Sequence, residues 1–245
     1  MYGLVFAAGR GTRLAPLTDE TPKPLLEVDG DPLIVHCLRA VVDADVEELA
    51  VVVGYRREEI VETVGDEFAG VPITYAHQAE REGLAHALLC GVDALGYDGE
   101  ALLTVNGDNV FDHDLQPLVD THREPGVDGT VLLDRCARNE AEMAACCELA
   151  PDGTIRELEA TTRPTSATGY LAAGAQTHGP DIVEACRRVD RGASGEYELA
   201  DALQALVDGG RRYVGVEIDG WHRNVNTPED LEAARSQFTG PSSQE

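Results

Sequence analysis

A mainly parallel α/β sheet covered by helices on both faces, with an antiparallel excursion late in the chain, is predicted by three observations. Short apolar runs alternate with amphipathic helical stretches over residues 2–108. Those runs lack polar alternation, as strands buried on both faces do. After residue 127 several strand-like segments follow one another before helices resume. The pattern predicts a single three-layer α/β/α domain over residues 1–238, followed by a disordered tail, "TGPSSQE", at 239–245.

The elements follow in order. "YGLVFAA" (2–8) is a buried strand ended by Gly9. Beyond it, "LAPLTDETPKPLLEV" reads as extended, because Pro16, Pro22 and Pro24 oppose a helix. A helix over 32–44 has Asp31 as its N-cap and Pro32 at its first position. Strand 48–55, helix 57–68, strand 71–77, helix 83–95 and strand 101–108 continue the alternation. Strand 127–135 opens the excursion, and 144–160 forms a hairpin turning at Pro151-Asp152-Gly153. Strand 168–178, helix 180–189, helix 196–210 and strand 212–218 come next. A helix over 227–238, with Thr227 as N-cap, closes the domain.

Charge narrows the function classes. Asp and Glu number 45 against 19 Lys and Arg, for a net charge of −26. Such a polyanion repels nucleic acid and anionic membranes. An acidic chain with a single lysine resembles proteins of a salt-loaded, halophilic cytoplasm. No stretch approaches the ~20 apolar residues of a membrane span. The first residues lack the basic start of a signal peptide, so a cytoplasmic location is expected. The six cysteines form no C-x-x-C pair, so buried free thiols are expected.

The lone lysine, Lys23, lies between two prolines downstream of "GRGTR". Ligands of open α/β sheets bind at the carboxyl ends of the strands. Gly9 and Gly11 allow tight bends whose N–H groups can face phosphate. Arg13 adds a planar fork of donors and Lys23 a compact charge. A dinucleotide fingerprint would need glycine at Leu14, and a P-loop is absent. Asp108, in "NGDN" at a strand end, suits Mg²⁺, although Asp and Asn are also turn residues. "DHD" (112–114) reads either as a solvated turn or as the D-x-D metal motif of glycosyltransferases.

"LVFAAGRGTRLAPLTDETPKPLLEVDGDPLI" resembles the signature of sugar-1-phosphate nucleotidyltransferases, with G-x-G-T-R-L-x-P-L-T, then P-K, then P-L-I. The resemblance continues through "HQAEREGLAHAL", "NGDNVF", "GEYELADAL" and "GWHRNVNTPEDL", and so spans nearly the whole chain. It implies a Rossmann-like sheet of the nucleotide-diphospho-sugar transferase type. It also implies that an NTP and a sugar 1-phosphate become an NDP-sugar and pyrophosphate, with Mg²⁺ as cofactor. Homo-oligomerisation stays open.

The resemblance also assigns roles. Lys23 contacts substrate phosphate, and Arg13 the β- and γ-phosphates. Ala8, Gly9, Gly11, Thr12 and Gly107 join the nucleotide site, and Gln78 and Gly83 meet the base. Asp108 is the metal carboxylate. Its usual partner is the Asp of W-x-D-V-G-T-P; here "WHRNVNTP" places Asn224 there, with one more residue after Trp221. Glu159 matches the Glu of E-K-P that binds sugar hydroxyls, but the lysine is missing and Arg163-Pro164 is its shifted counterpart. Gly174 matches a glycine beside the sugar. Two rival readings are a glycosyltransferase consuming an NDP-sugar and a regulatory subunit that has lost catalysis.

Overall fold

A computed structural model describes residues 1–137, 146–159 and 168–238. Its first half comprises β1 (Tyr2–Ala7), α1 (Leu17–Glu20), β2 (Glu27–Val28), β3 (Asp31–Pro32), α2 (Leu33–Val42), β4 (Glu48–Val53), α3 (Arg57–Val64), β5 (Glu67–Phe68), β6 (Val71–His77), α4 (Leu84–Leu95) and β7 (Leu102–Asn106). There follow β8 (Asn109–Phe111), α5 (Gln116–His122), β9 (Gly129–Ala137), β10 (Cys146–Leu149), β11 (Ile155–Glu159), β12 (Thr168–His178), α6 (Asp181–Arg188), α7 (Leu199–Asp208), β13 (Tyr213–Glu217), β14 (His222–Asn224) and α8 (Pro228–Phe238).

β1 is the centre of the sheet, parallel to β4 on one side and β7 on the other, and β4 is parallel to β6. The order is β11-β10-β12-β7-β1-β4-β6-β5, with β9 beside β12 and β13 beside β9. β12 is the turning point, antiparallel to β7, β9 and β10. The expected excursion therefore exists, and it extends the parallel sheet instead of leaving it.

The two-residue period of a strand explains the layers. Val5 and Ala7 of β1 pack on one face with Ile34, Leu38 and Val41 of α2 and Leu118 of α5. Leu4 and Phe6 pack on the other with Leu88 of α4, Ile182 of α6 and Ala202 of α7. Each fully buried Val or Leu side chain contributes roughly 1.5–3 kcal/mol. Both faces of β1 are apolar because both are covered.

Several local expectations change. The helix expected over 57–68 stops at Val64, because Gly65 turns the chain at φ 81° and Glu67–Phe68 pairs with β6 instead. Asp31 does not cap α2. It pairs with Val28 in a small hairpin, and Pro32 takes the N-cap position. The segment after Leu14 is not extended throughout; it folds into α1 and a short turn of 3₁₀ helix at Lys23–Leu25. The helix expected from 196 begins at Leu199. The hairpin at 151–153 is present, with β10 and β11 antiparallel. Helix α5 was not anticipated. The tail at 239–245 lies outside the described residues. Among those described, no helix is long and apolar enough to cross a membrane, and Cys37, Cys90, Cys147 and Cys186 are free thiols.

Candidate nucleotide site

The carboxyl ends of β1, β6 and β7 open on a cleft of about 230 Å³, whose lining includes Ala8, Gly9, Lys23, Gln78, Gly83 and Asp108. Gly107 lines it too and donates its backbone N–H to Phe6 O at 2.9 Å, which ties the end of β7 to the end of β1. This is where a parallel sheet leaves backbone groups unpaired for a ligand.

Lys23 is the hub. Its ammonium donates to Asp108 Oδ2 at 2.7 Å and to Asn226 Oδ1 at 2.9 Å. The side chain is 9% exposed, so the charge is held in place. Arg13 donates to the same Asn226 oxygen at 2.9 Å, and Asn226 Nδ2 donates to Asn224 Oδ1 at 2.7 Å. Asn226 is fixed from behind: its backbone N–H and that of Thr227 donate to Asp230 Oδ2, at 3.0 and 2.8 Å. Thr227 accepts from Asp230 N at 3.2 Å, which is the expected cap of α8.

Asp108 and Asn226 thus aim oxygens at one cation, the Lys23 ammonium. Asn224 stands one hydrogen bond further out, its oxygen turned to Asn226. The resemblance pointed to one amide, and the structure brings in a second. An anionic oxygen and neutral amide oxygens suit a hard divalent cation that completes its shell with water and phosphate. Among the described residues, no cluster of three His, Cys, Asp or Glu offers a metal cage.

A polar layer lies behind Asp108. Asn109 Nδ2 donates to Asp108 Oδ1 at 3.3 Å and to Asn106 O at 3.1 Å. Its Oδ1 lies 2.6 Å from His222 Nε2, which must carry the hydrogen because an amide oxygen only accepts. The Cys37 thiol donates to Asn109 O at 3.1 Å, and burial pushes its pKa up to about 12, so it stays protonated. The pairing of β8 with β14, and Val225 N–H on Asp108 O at 2.9 Å, join this loop to the C-terminal segment.

Gly174 presses on this layer. Its φ is 74°, and a Cβ there would lie 2.3 Å from Asn109 Nδ2. A left-handed non-glycine residue costs about 1–3 kcal/mol before any clash. Gly174→Ala is expected to lower the thermal midpoint by several degrees and turnover along with it, because Asn109 must move. A melting curve and a rate measured on the same sample check this.

At the other end of the cleft, Gln78 is 4% exposed and donates Nε2–H to Gly83 O at 3.0 Å. Gly83 has φ 106°, and a Cβ there would meet Tyr197 O at 2.4 Å, so no other residue fits. Arg81 and Glu196 line this end as well. Thr12 is not brought to the cleft wall; it is exposed on the turn after Gly11. Glu159 ends β11 in register with Cys146. Arg163 and Pro164 lie outside the described residues. Asp114 accepts from Gln116 N–H at 2.8 Å, which makes "DHD" the turn that starts α5.

This fold has counterparts. The profile of the Nucleotidyl transferase family matches residues 2–239, and the chain belongs to that family. Within it the chain is a sugar-1-phosphate nucleotidyltransferase, an enzyme that makes a nucleotide sugar from a nucleoside triphosphate and a sugar 1-phosphate. It is 40% identical to UTP–glucose-1-phosphate uridylyltransferase AglF of Haloferax volcanii, over 97% of this chain and 96% of that protein. It is 33% identical to a glucose-1-phosphate thymidylyltransferase of Streptomyces griseus, over 94% of this chain but 64% of that longer protein. A UDP-glucose pyrophosphorylase solved with UDP-glucose superposes with a TM-score of 0.85 at 21% identity, covering 97% of this chain and 98% of that one.

Proposed function

We propose that this enzyme uses UTP and glucose 1-phosphate, with Mg²⁺, and that it works in a salt-loaded cytoplasm. The substrates are those in the name of the 40%-identical haloarchaeal relative, and the net charge of −26 fits the setting. A single observation carries the chemistry: Lys23, Asp108 and Asn226 meet within 2.9 Å at the mouth of β1 and β7.

A phosphate oxygen of the sugar 1-phosphate attacks the α-phosphorus in line. The new P–O bond forms as the bond to the β-phosphate oxygen breaks, and pyrophosphate leaves with that electron pair. No covalent enzyme intermediate is needed. Catalysis is positioning and charge neutralisation. Lys23 has three N–H donors; Asp108 and Asn226 take two, which leaves one for a substrate phosphate. Arg13 steadies the departing pyrophosphate. Asp108, with the Asn226 and Asn224 amides, would hold Mg²⁺, which supplies charge for the triphosphate and the leaving group. Glu159 and Gly174 belong to the sugar side by resemblance, and Gly174 acts there through Asn109.

The base end supports a pyrimidine. With its amide N–H already given to Gly83 O, Gln78 can offer its oxygen to the N3–H of uracil or thymine. Pyrophosphate release measured with UTP, dTTP, CTP, ATP and GTP against several sugar 1-phosphates should give the highest kcat/KM for UTP with glucose 1-phosphate. A higher value for ATP or GTP than for UTP and dTTP would reject the pyrimidine reading.

A further inference from the structure

We infer that His86, a residue outside the cleft lining, sets base selectivity by locking the amide of Gln78 with its oxygen outward. The inference rests on the reading that Gln78 meets the base.

The geometry is a two-point lock. Gln78 Nε2 lies 3.0 Å from Gly83 O and 3.1 Å from His86 Nδ1. A carbonyl oxygen can only accept, so the atom facing it must be the amide nitrogen. Its second hydrogen then points at His86 Nδ1, which must present a lone pair. The ring proton is left on Nε2, and the surroundings favour it there. Glu82 Oε2 lies 3.6 Å from His86 Nε2, and Cys90 Sγ 3.8 Å. Glu82 is itself paired with Arg191, which also stacks on Tyr197 with 4.5 Å to the ring centroid.

Gly83 O cannot move aside, because it also accepts from Ala87 N–H at 3.1 Å at the start of α4. A flipped Gln78 would set its oxygen against a carbonyl oxygen and a ring lone pair together. Both amide hydrogens are spent, so the acceptor is the group Gln78 has left for a ligand.

UTP and CTP separate this from simple packing. Uracil and cytosine have the same size, but uracil carries a hydrogen at N3 and cytosine a lone pair. An outward Gln78 oxygen accepts from the first and repels the second. Without His86 the amide is held at one point and tolerates both bases better. Asparagine at position 86 can put a side-chain oxygen where Nδ1 stands, so it should restore the lock, whereas leucine cannot.

The test measures kcat and KM for UTP and CTP in the parent, His86→Leu, His86→Asn and Gln78→Leu, with one sugar 1-phosphate that the parent turns over. His86→Leu should lower the UTP-over-CTP ratio of kcat/KM about tenfold, the scale of one neutral hydrogen bond, mainly through KM. His86→Asn should stay within about threefold of the parent. A folded His86→Leu protein with the parental ratio overturns the inference, provided Gln78→Leu collapses that ratio. If Gln78→Leu keeps the ratio too, Gln78 does not meet the base and the underlying reading also fails. Equal losses in His86→Leu and His86→Asn, spread over kcat as well as KM, would reduce His86 to a packing residue and also overturn it.

Discussion

Asp108→Ala should lower kcat by about three orders of magnitude or more while the protein stays folded. The carboxylate is 24% exposed, so little packing is lost with it. The backbone bond from Val225 N–H to Asp108 O survives the change, and Lys23 keeps Asn226 as a partner. The carboxylate disappears, and with it the bonds it accepts from Lys23 and Asn109. Asp108→Asn, which keeps the shape and removes the charge, should fail nearly as badly. Rates with excess Mg²⁺ and thermal midpoints for the three proteins check this. Near-parental turnover in Asp108→Ala would remove Asp108 from its role.

Lys23→Ala should cost two to three orders of magnitude in kcat, the usual loss when one preorganised donor, worth about 2.7–4 kcal/mol, is taken from a charge-developing site. Lys23→Arg should recover only a small part. The other 18 basic residues are arginines, so arginine suits this chain's surface and solvent. Position 23 differs in its confinement. Pro22 and Pro24 flank it, its side chain is 9% exposed, and Gly11 abuts its methylenes. A guanidinium is wider and presents its donors in a fixed plane, so it cannot reach Asp108, Asn226 and a phosphate from one point. If Lys23→Arg turns over like the parent, the lone lysine is a historical leftover.

The central sheet was legible because its strands are short, β-branched and apolar on both faces. "LAVVV" at 49–53 could be little else. Asp108 and Lys23 were legible because they sit in a long motif with fixed spacing. Asn226 was not, because it stands where the motif has glycine, and nothing local shows that its amide reaches a lysine 203 residues away. The spacing Asn224-Val225-Asn226, which puts two amides on one side of an extended segment, was the available signal. The layer behind Asp108 was hidden for the same reason. Asn109, His222 and Gly174 meet through pairings between distant strands, and periodicity says nothing about partners. The helix end expected at 68 is different: a glycine inside an amphipathic run moved it back to Val64, against a pattern that read as continuous.

The hub at Lys23 has a consequence for how the enzyme comes into being. Its partners lie 85 and 203 residues away along the chain, and the second sits just before the last helix. A ribosome must therefore make and release residue 226 before the three side chains can meet. Until then the growing polypeptide can hold its central strands together and still lack the centre proposed for catalysis. Loosening of only the final segment from β8 in the mature protein would return the enzyme to that dormant state, with most of the sheet intact.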